Sequence, residues 1–201
     1  MEVRGDVPRG GPWLAVSNHL GYLDVPALAS VLPVSFVSKS EVRRWPLIGF
    51  LAAAGGTIFV DREDRIAAPD FIRRVRSRLS AGGNVLLFPE GTSSRGETVL
   101  PFHSSPFASA DEPGTRLLPL AVELLEVDGK RASGGVRDLA CWHGDMTFAG
   151  HFFRFLALRG ARFRVTIGPP FDCRSLDRKE AAAFTRSQVL GLMSAGKFTN
   201  P

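Results

Sequence analysis

His19 and Asp24 stand five residues apart in the stretch Ser17-Asn18-His19-Leu20-Gly21-Tyr22-Leu23-Asp24. Imidazole titrates near neutrality, so it can take the proton from a hydroxyl as that hydroxyl attacks. A carboxylate on the other ring nitrogen would fix the tautomer and stabilise the imidazolium as it forms. Such a pair needs no serine of its own, because a substrate hydroxyl can be the nucleophile. The same two residues also arise by chance at this distance, and Asp24 equally suits a helix cap.

Two further stretches carry polar groups where apolar strands end. Asn84 to Phe88 runs straight into Pro89-Glu90-Gly91-Thr92-Ser93-Ser94-Arg95-Gly96. Loops at the carboxyl ends of α/β strands are where such folds place ligands. Gly91 lets backbone come close to a ligand, and the Thr92 and Ser93 hydroxyls can donate to phosphate oxygens. An ordinary polar turn has the same composition. Gly56-Thr57-Ile58-Phe59-Val60-Asp61-Arg62 ends in an Asp-Arg pair, where Arg62 is either a clamp for an anionic group or half of a surface ion bridge.

Other chemistries lack their motifs. There is no Gly-x-Ser-x-Gly elbow, no Walker lysine motif and no Gly-x-Gly-x-x-Gly. His103, His143 and His151 follow no metal-ligand spacing, so no metal is expected.

The elements that must position these residues alternate between short β-rich runs and helical ones. That alternation predicts an α/β fold, a single domain over residues 1–201 with a mixed, mostly parallel central sheet flanked by helices. Strands are expected at Trp13–Val16, Val34–Ser38, Thr57–Asp61, Asn84–Phe88, Leu117–Leu125 and Ala161–Ile167. Helices are expected at Asp24–Leu32, Pro46–Ala54, Ala67–Ser80 and Leu176–Gly191, and a polar turn at Asp128–Gly135. In the third helix Phe71, Ile72, Val75 and Leu79 form a core stripe, and Arg73, Arg74, Arg76 and Arg78 fill the other face.

With 201 residues the chain can bury a sizeable core. The formal charge is +5, and only four of the 25 basic residues are lysine. Arginine suits bidentate phosphate contact, but a genome biased toward arginine codons explains the excess as readily. No stretch interleaves basic and aromatic residues as a nucleic-acid module would, so no nucleic acid is expected as partner. Cys141 and Cys173 make neither a disulfide framework nor a metal site, which fits a reducing, cytoplasmic setting.

Met1 to Gly11 is polar and Gly/Pro-rich, with no signal peptide. The longest nearly apolar stretch, Trp45 to Val60, is too short to span a bilayer. The chain can still lie on a bilayer surface through apolar segments. Trp45–Ala54, preceded by Arg43 and Arg44, and Phe148–Leu158 are the candidates, and core packing is the competing reading for each.

Taken together, Asn18-His19-x4-Asp24, Gly56-x-x-Phe59-Val60-Asp61-Arg62 and Phe88-Pro89-Glu90-Gly91-Thr92 resemble, in order and spacing, the first three blocks of the lysophosphatidic acid and glycerol-3-phosphate acyltransferase family, bacterial PlsC-like proteins among them. Leu118-Pro119-Leu120-Ala121-Val122 resembles the fourth. The resemblance implies direct transfer of a fatty acyl group from acyl-CoA or acyl-carrier protein to a lysolipid hydroxyl, with no cofactor and no metal. It implies His19 as general base, Asp24 as its orienting partner, and Arg62, Glu90, Gly91, Thr92 and Ser93 around the acceptor. It further implies a peripheral or monotopic enzyme on the inner face of the cell membrane, with the membrane surface as partner. The acceptor it suggests first is 1-acyl-sn-glycerol-3-phosphate, giving phosphatidic acid.

Two departures qualify that acceptor. Ser93 stands where many members of the family have arginine, with Arg95 two residues further on. Trp142-His143-Gly144-Asp145-Met146 resembles a stretch of the branch that acylates lyso-ornithine lipid, which is the alternative acceptor. A silent lipid- or carrier-binding protein on the same fold is the alternative of another class, although such a protein has no need of the His-Asp pair.

Overall fold

A computed structural model describes residues 1–45, 48–60 and 69–195. Its elements run β1 (Glu2–Arg4), β2 (Trp13–Ser17), α1 (Asp24–Ala29), β3 (Ser35–Lys39), α2 (Ile48–Ala54), β4 (Ile58–Val60), α3 (Pro69–Ser80), β5 (Val85–Leu87), β6 (Arg116–Val127), β7 (Lys130–Arg131), α4 (Phe148–Leu156), β8 (Ala161–Ile167) and α5 (Arg178–Ala195). Short 3-10 helices at Ser40–Arg44, Ser105–Asp111 and Gly134–Leu139 join them.

The strands form one sheet in the order β1-β8-β6-β2-β5-β3-β4, with β7 paired to β6. From β6 to β4 all neighbours are parallel, whereas β8 runs antiparallel to β6 and parallel to β1. The mixed, mostly parallel α/β sheet is therefore as expected. Strand β2 is buried along its whole length, which suits a central strand covered on both faces. Trp13 and Ala15 face one cluster with Leu20, Leu28 and Leu118, while Leu14 and Val16 face the other with Val75, Leu79 and Leu87. Strand periodicity divides these side chains between the two layers.

Local chemistry explains where the observed elements depart from the expected ones. Helix α1 stops at Ala29, short of Leu32, because Pro33 disfavours helical geometry in the residue before it. Helix α5 starts at Arg178 rather than Leu176 because Asp177 caps it. The Asp177 carboxylate accepts the amides of Lys179 and Glu180 at 2.7 and 2.9 Å, and Glu180 returns to the Asp177 amide at 2.8 Å. This reciprocal capping box holds the helix start, and the helix runs through Gly191 to Ala195. The polar, Gly/Pro-rich N-terminal segment, where no strand was expected, supplies edge strand β1, and Glu2 binds Arg164 of β8 at 3.0 Å. The expected polar turn at 128–135 is a tight hairpin into β7 followed by the 3-10 helix Gly134–Leu139. Pro46 and Asp61 lie outside the described residues.

The parallel order matters for function because β2 and β5 are hydrogen-bonded neighbours. Their carboxyl ends deliver Asn18-His19 and Phe88-Pro89-Glu90 to the same edge of the sheet.

Candidate active site

Asn18 ends β2 by replacing a backbone rung with its side chain. Its amide donates to the Val122 carbonyl at 2.9 Å and accepts the Val122 amide at 2.8 Å, both within the core. The chain can then leave the sheet at His19 without stranding polar groups on β6.

The His19 ring comes out of this turn held on two sides. Its Nδ1 lies 2.7 Å from Asp24 Oδ2, and its face stacks on Phe88 with ring centroids 4.1 Å apart. Asp24 is wholly buried, and the same Oδ2 accepts the Leu20 amide at 2.6 Å and the Gly21 amide at 3.1 Å. The His19 side chain keeps 22% of its surface exposed. Nδ1 is thus committed to the carboxylate, and Nε2 is the nitrogen left for an incoming proton. Gly21 makes the turn possible: its φ is +147°, and a Cβ there would lie 3.0 Å from the Trp142 amide nitrogen.

Glu90 sits 4% exposed behind the pair. Its oxygens accept the Leu100 amide at 3.0 Å and the His19 amide at 3.4 Å. Burial pushes its carboxyl up to about 7, against the lowering effect of those two amides and of His19. Ser94 reaches the same turn through its amide, which donates to the His19 carbonyl at 2.9 Å.

Residues 1–123 match the family model described as Acyltransferase. The chain belongs to this acyltransferase family. It is 35% identical to the lyso-ornithine lipid O-acyltransferase of Pseudomonas aeruginosa over 94% of the chain and 70% of that protein. It is 34% identical to the enzyme of the same name from Brucella abortus, over 95% of the chain and 74% of the relative. The 1-acyl-sn-glycerol-3-phosphate acyltransferase of Neisseria gonorrhoeae is 36% identical over 60% of the chain and 47% of its own length. Among solved structures, the fold matches the 1-acyl-sn-glycerophosphate acyltransferase PlsC of Thermotoga maritima with a TM-score of 0.70 at 20% identity, covering 100% of this chain and 73% of that one.

For an acyltransferase, the geometry separates the residues singled out in the sequence. His19 and Asp24 meet as expected. Glu90 comes to the same place, but both its oxygens are held by backbone amides, so it anchors the turn that carries His19. Gly91 turns with φ +71°, and a Cβ there would lie 3.0 Å from the His103 ring. Thr92 is exposed, and Ser93 lines a groove of about 330 Å³ together with Ser94, Arg95, Glu97, Leu100 and His143. Arg62 lies outside the described residues. His103, His143 and His151 do not converge, and no group of metal-ligating side chains occurs among the described residues.

Sequence reasoning missed the partners that lie beyond the matched segment. Asp138 binds Arg95 through two hydrogen bonds and His143 through a third. Tyr22, within the turn that carries His19, hydrogen-bonds His151 of α4 at 3.0 Å and touches Phe148, Phe152 and Phe155. The Trp142-His143 stretch carried a signal for the first of these. Nothing local in the sequence marked Asp138 or His151.

Proposed function

We propose that the chain transfers a fatty acyl group from a thioester, acyl-CoA or acyl-carrier protein, to the free hydroxyl of lyso-ornithine lipid, with His19 as general base. The 2.7 Å contact between His19 Nδ1 and the buried Asp24 carries this reading. In the reaction His19 Nε2 removes the hydroxyl proton as the oxygen attacks the thioester carbonyl. The Asp24 carboxylate stabilises the imidazolium, which is the transition-state demand on such a pair. Collapse of the tetrahedral intermediate breaks the C–S bond, and the imidazolium returns its proton to the departing thiolate. The products are an ester and a free thiol. Gly91, Thr92 and Ser93 are assigned to the acceptor side, and Arg62 to the phosphate of a glycerophosphate acceptor.

Coverage supports the ornithine acceptor. Relatives named for it match 87% to 96% of the chain, while the Neisseria relatives named for 1-acyl-sn-glycerol-3-phosphate match 60%. Ser93 in place of an arginine also removes a charge that a phosphate would use. 1-Acyl-sn-glycerol-3-phosphate is the second reading, supported by 36% identity over that shorter segment.

The reading extends to a peripheral enzyme on the inner, cytoplasmic face of the cell membrane. Phe50 of α2 and Phe153 and Leu156 of α4 are exposed, and the exposed Arg43, Arg44 and Arg154 accompany them. Trp45 touches Phe148 with centroids 4.6 Å apart, which joins the two segments. Apolar side chains rimmed by arginine suit an anionic bilayer interface. No helix among the described residues is long and apolar enough to cross a membrane.

The test is acyl transfer from palmitoyl-CoA to lyso-ornithine lipid and to 1-acyl-sn-glycerol-3-phosphate, in parallel, with His19→Ala as control. The variant should lose about two to four orders of magnitude in turnover. Equal activity in His19→Ala rejects the mechanism, and a preference for the phosphate acceptor selects the second reading.

A further inference from the structure

The groove beside the catalytic turn carries charges of both signs, held in different ways. One wall is the loop Ser93–Leu100, tied to the His19 carbonyl through the Ser94 amide. Arg95 lies on this wall, and Asp138 takes its Nε at 2.8 Å and its Nη2 at 2.6 Å. Asp138 Oδ1 also takes His143 Nε2 at 2.9 Å. Burial would raise the Asp138 carboxyl, but the His143 and Arg95 hydrogen bonds outweigh it and hold the carboxyl below its ordinary value. Arg137 braces the loop from the same side, donating to the Arg95 carbonyl at 2.9 Å.

This bracing aims Arg95 rather than consuming it, since the guanidinium has five N–H donors and Asp138 uses one edge. Arg95 Nη1 has no partner among the described residues. Glu97, also in the groove, is exposed and its carboxylate has no partner among them either. An unpaired cation edge and an unpaired carboxylate on one concave surface suit a ligand that carries both charges. A phosphate head would gain Arg95 but meet the Glu97 charge, which is the repulsive element that specificity needs.

We propose that this groove is the head-group subsite of the acceptor and is built for a zwitterionic amino-acid head. Arg95, positioned by Asp138, takes the carboxylate, and Glu97 takes the ammonium. The assignment rests on the lyso-ornithine reading above, because an ornithine head acylated on one nitrogen keeps one carboxylate and one ammonium.

The kinetic arm measures both acceptors with palmitoyl-CoA. Glu97→Gln should lower kcat/KM for lyso-ornithine lipid about fivefold, the scale of an exposed ion pair, and leave 1-acyl-sn-glycerol-3-phosphate unchanged or improved. Arg95→Gln should lower kcat/KM for lyso-ornithine lipid about tenfold, because the contact it removes is charge-assisted. Asp138→Asn should raise the KM for lyso-ornithine lipid while kcat and the donor KM stay put, a split that a general loss of structure would not give. The binding arm measures lyso-ornithine lipid in detergent against His19→Ala, with and without Glu97→Gln and Arg95→Gln. Binding that depends on both residues without turnover in the wild type keeps the subsite and rejects the reaction. Turnover indifferent to both residues keeps the reaction and rejects the subsite. Neither binding nor turnover rejects both.

Discussion

Asp24 holds His19, and the turn that carries His19, with a single oxygen atom. Oδ2 receives the imidazole Nδ1 at 2.7 Å together with the amides of Leu20 and Gly21, while the buried Oδ1 has no partner among the described residues. Position and charge are therefore supplied by the same group, and a substitution can separate them.

Asp24→Asn makes that separation. All three donors demand an acceptor at the Oδ2 position, so the amide oxygen should take it and leave the NH2 where Oδ1 had no partner. The imidazole tautomer is then kept and only the negative charge is lost. A drop in kcat of about a hundredfold is expected, at the mild end of the range for losing a dyad carboxylate, with the donor KM little changed. Steady-state kinetics beside a thermal melt checks it. Unchanged kcat in a folded variant removes Asp24 from the chemistry.

Glu90 gives the fold a pH dependence of unusual sign. Its carboxyl lies near 7 in the folded chain against 4.5 as the ordinary value, because it is buried. A folded-state pKa above the unfolded one means that the folded chain holds the proton longer. Stability from this group is complete below about pH 4.5 and declines until about pH 7. The loss is on the order of 3 kcal/mol. Glu90→Gln cannot ionise and should flatten that decline, at the cost of leaving one of the two amides, His19 or Leu100, without an acceptor. Urea unfolding between pH 4.5 and 8 reads both effects. Parallel slopes for wild type and variant would count against the buried, protonated carboxyl. His151, whose pKa burial lowers, contributes the opposite slope as the pH falls below its ordinary value of 6.5, so the difference between the two proteins is the quantity to follow.

Strand patterning and the three blocks made the sheet and the His19-Asp24 pair legible in the sequence, because both depend on residues close in the chain. Glu90 lies beside the His19-Asp24 pair, with both oxygens held by backbone amides. A sequence shows a carboxylate after a strand, but not that the His19 and Leu100 amides will converge on it. Asp138 reaches Arg95 across 43 positions, and no local periodicity reports such a pairing. Asp177 and Glu180, by contrast, spell a capping box that could have set the start of α5. The long apolar stretches were left divided between core and membrane, and α4 turns out to have one face on the core and one exposed. Phe155 packs on the core while Phe153 and Leu156 are exposed.

That division of α4 allows a test of membrane docking which spares the core. Phe153 is 70% exposed and Leu156 59% exposed, so Phe153→Asp with Leu156→Asp should leave the melting temperature within about 2 °C. Sedimentation with vesicles containing anionic lipid should show binding reduced about tenfold or more, as two apolar contacts become charges. Activity on acceptor in detergent should persist while activity on acceptor in vesicles falls. Full vesicle binding by the double variant would exclude α4 as the docking face.

Gly21→Ala probes the turn itself. At φ +147° an alanine is strained, and its Cβ would press on the Trp142 backbone at 3.0 Å, next to the 2.9 Å bond from the Trp142 amide to the Leu20 carbonyl. Backbone strain of this kind costs about 1–3 kcal/mol. Relief by moving the turn would draw the Leu20 and Gly21 amides off Asp24 Oδ2 and tilt the carboxylate away from the imidazole. Loss of kcat should therefore exceed the loss of stability, by about tenfold or more for a displacement near 1 Å at a reacting group. Kinetics measured well below the variant's melting temperature separates the two losses. If kcat is retained while stability falls, the strain is absorbed on the Trp142 side, and the His19-Asp24 geometry does not depend on Gly21.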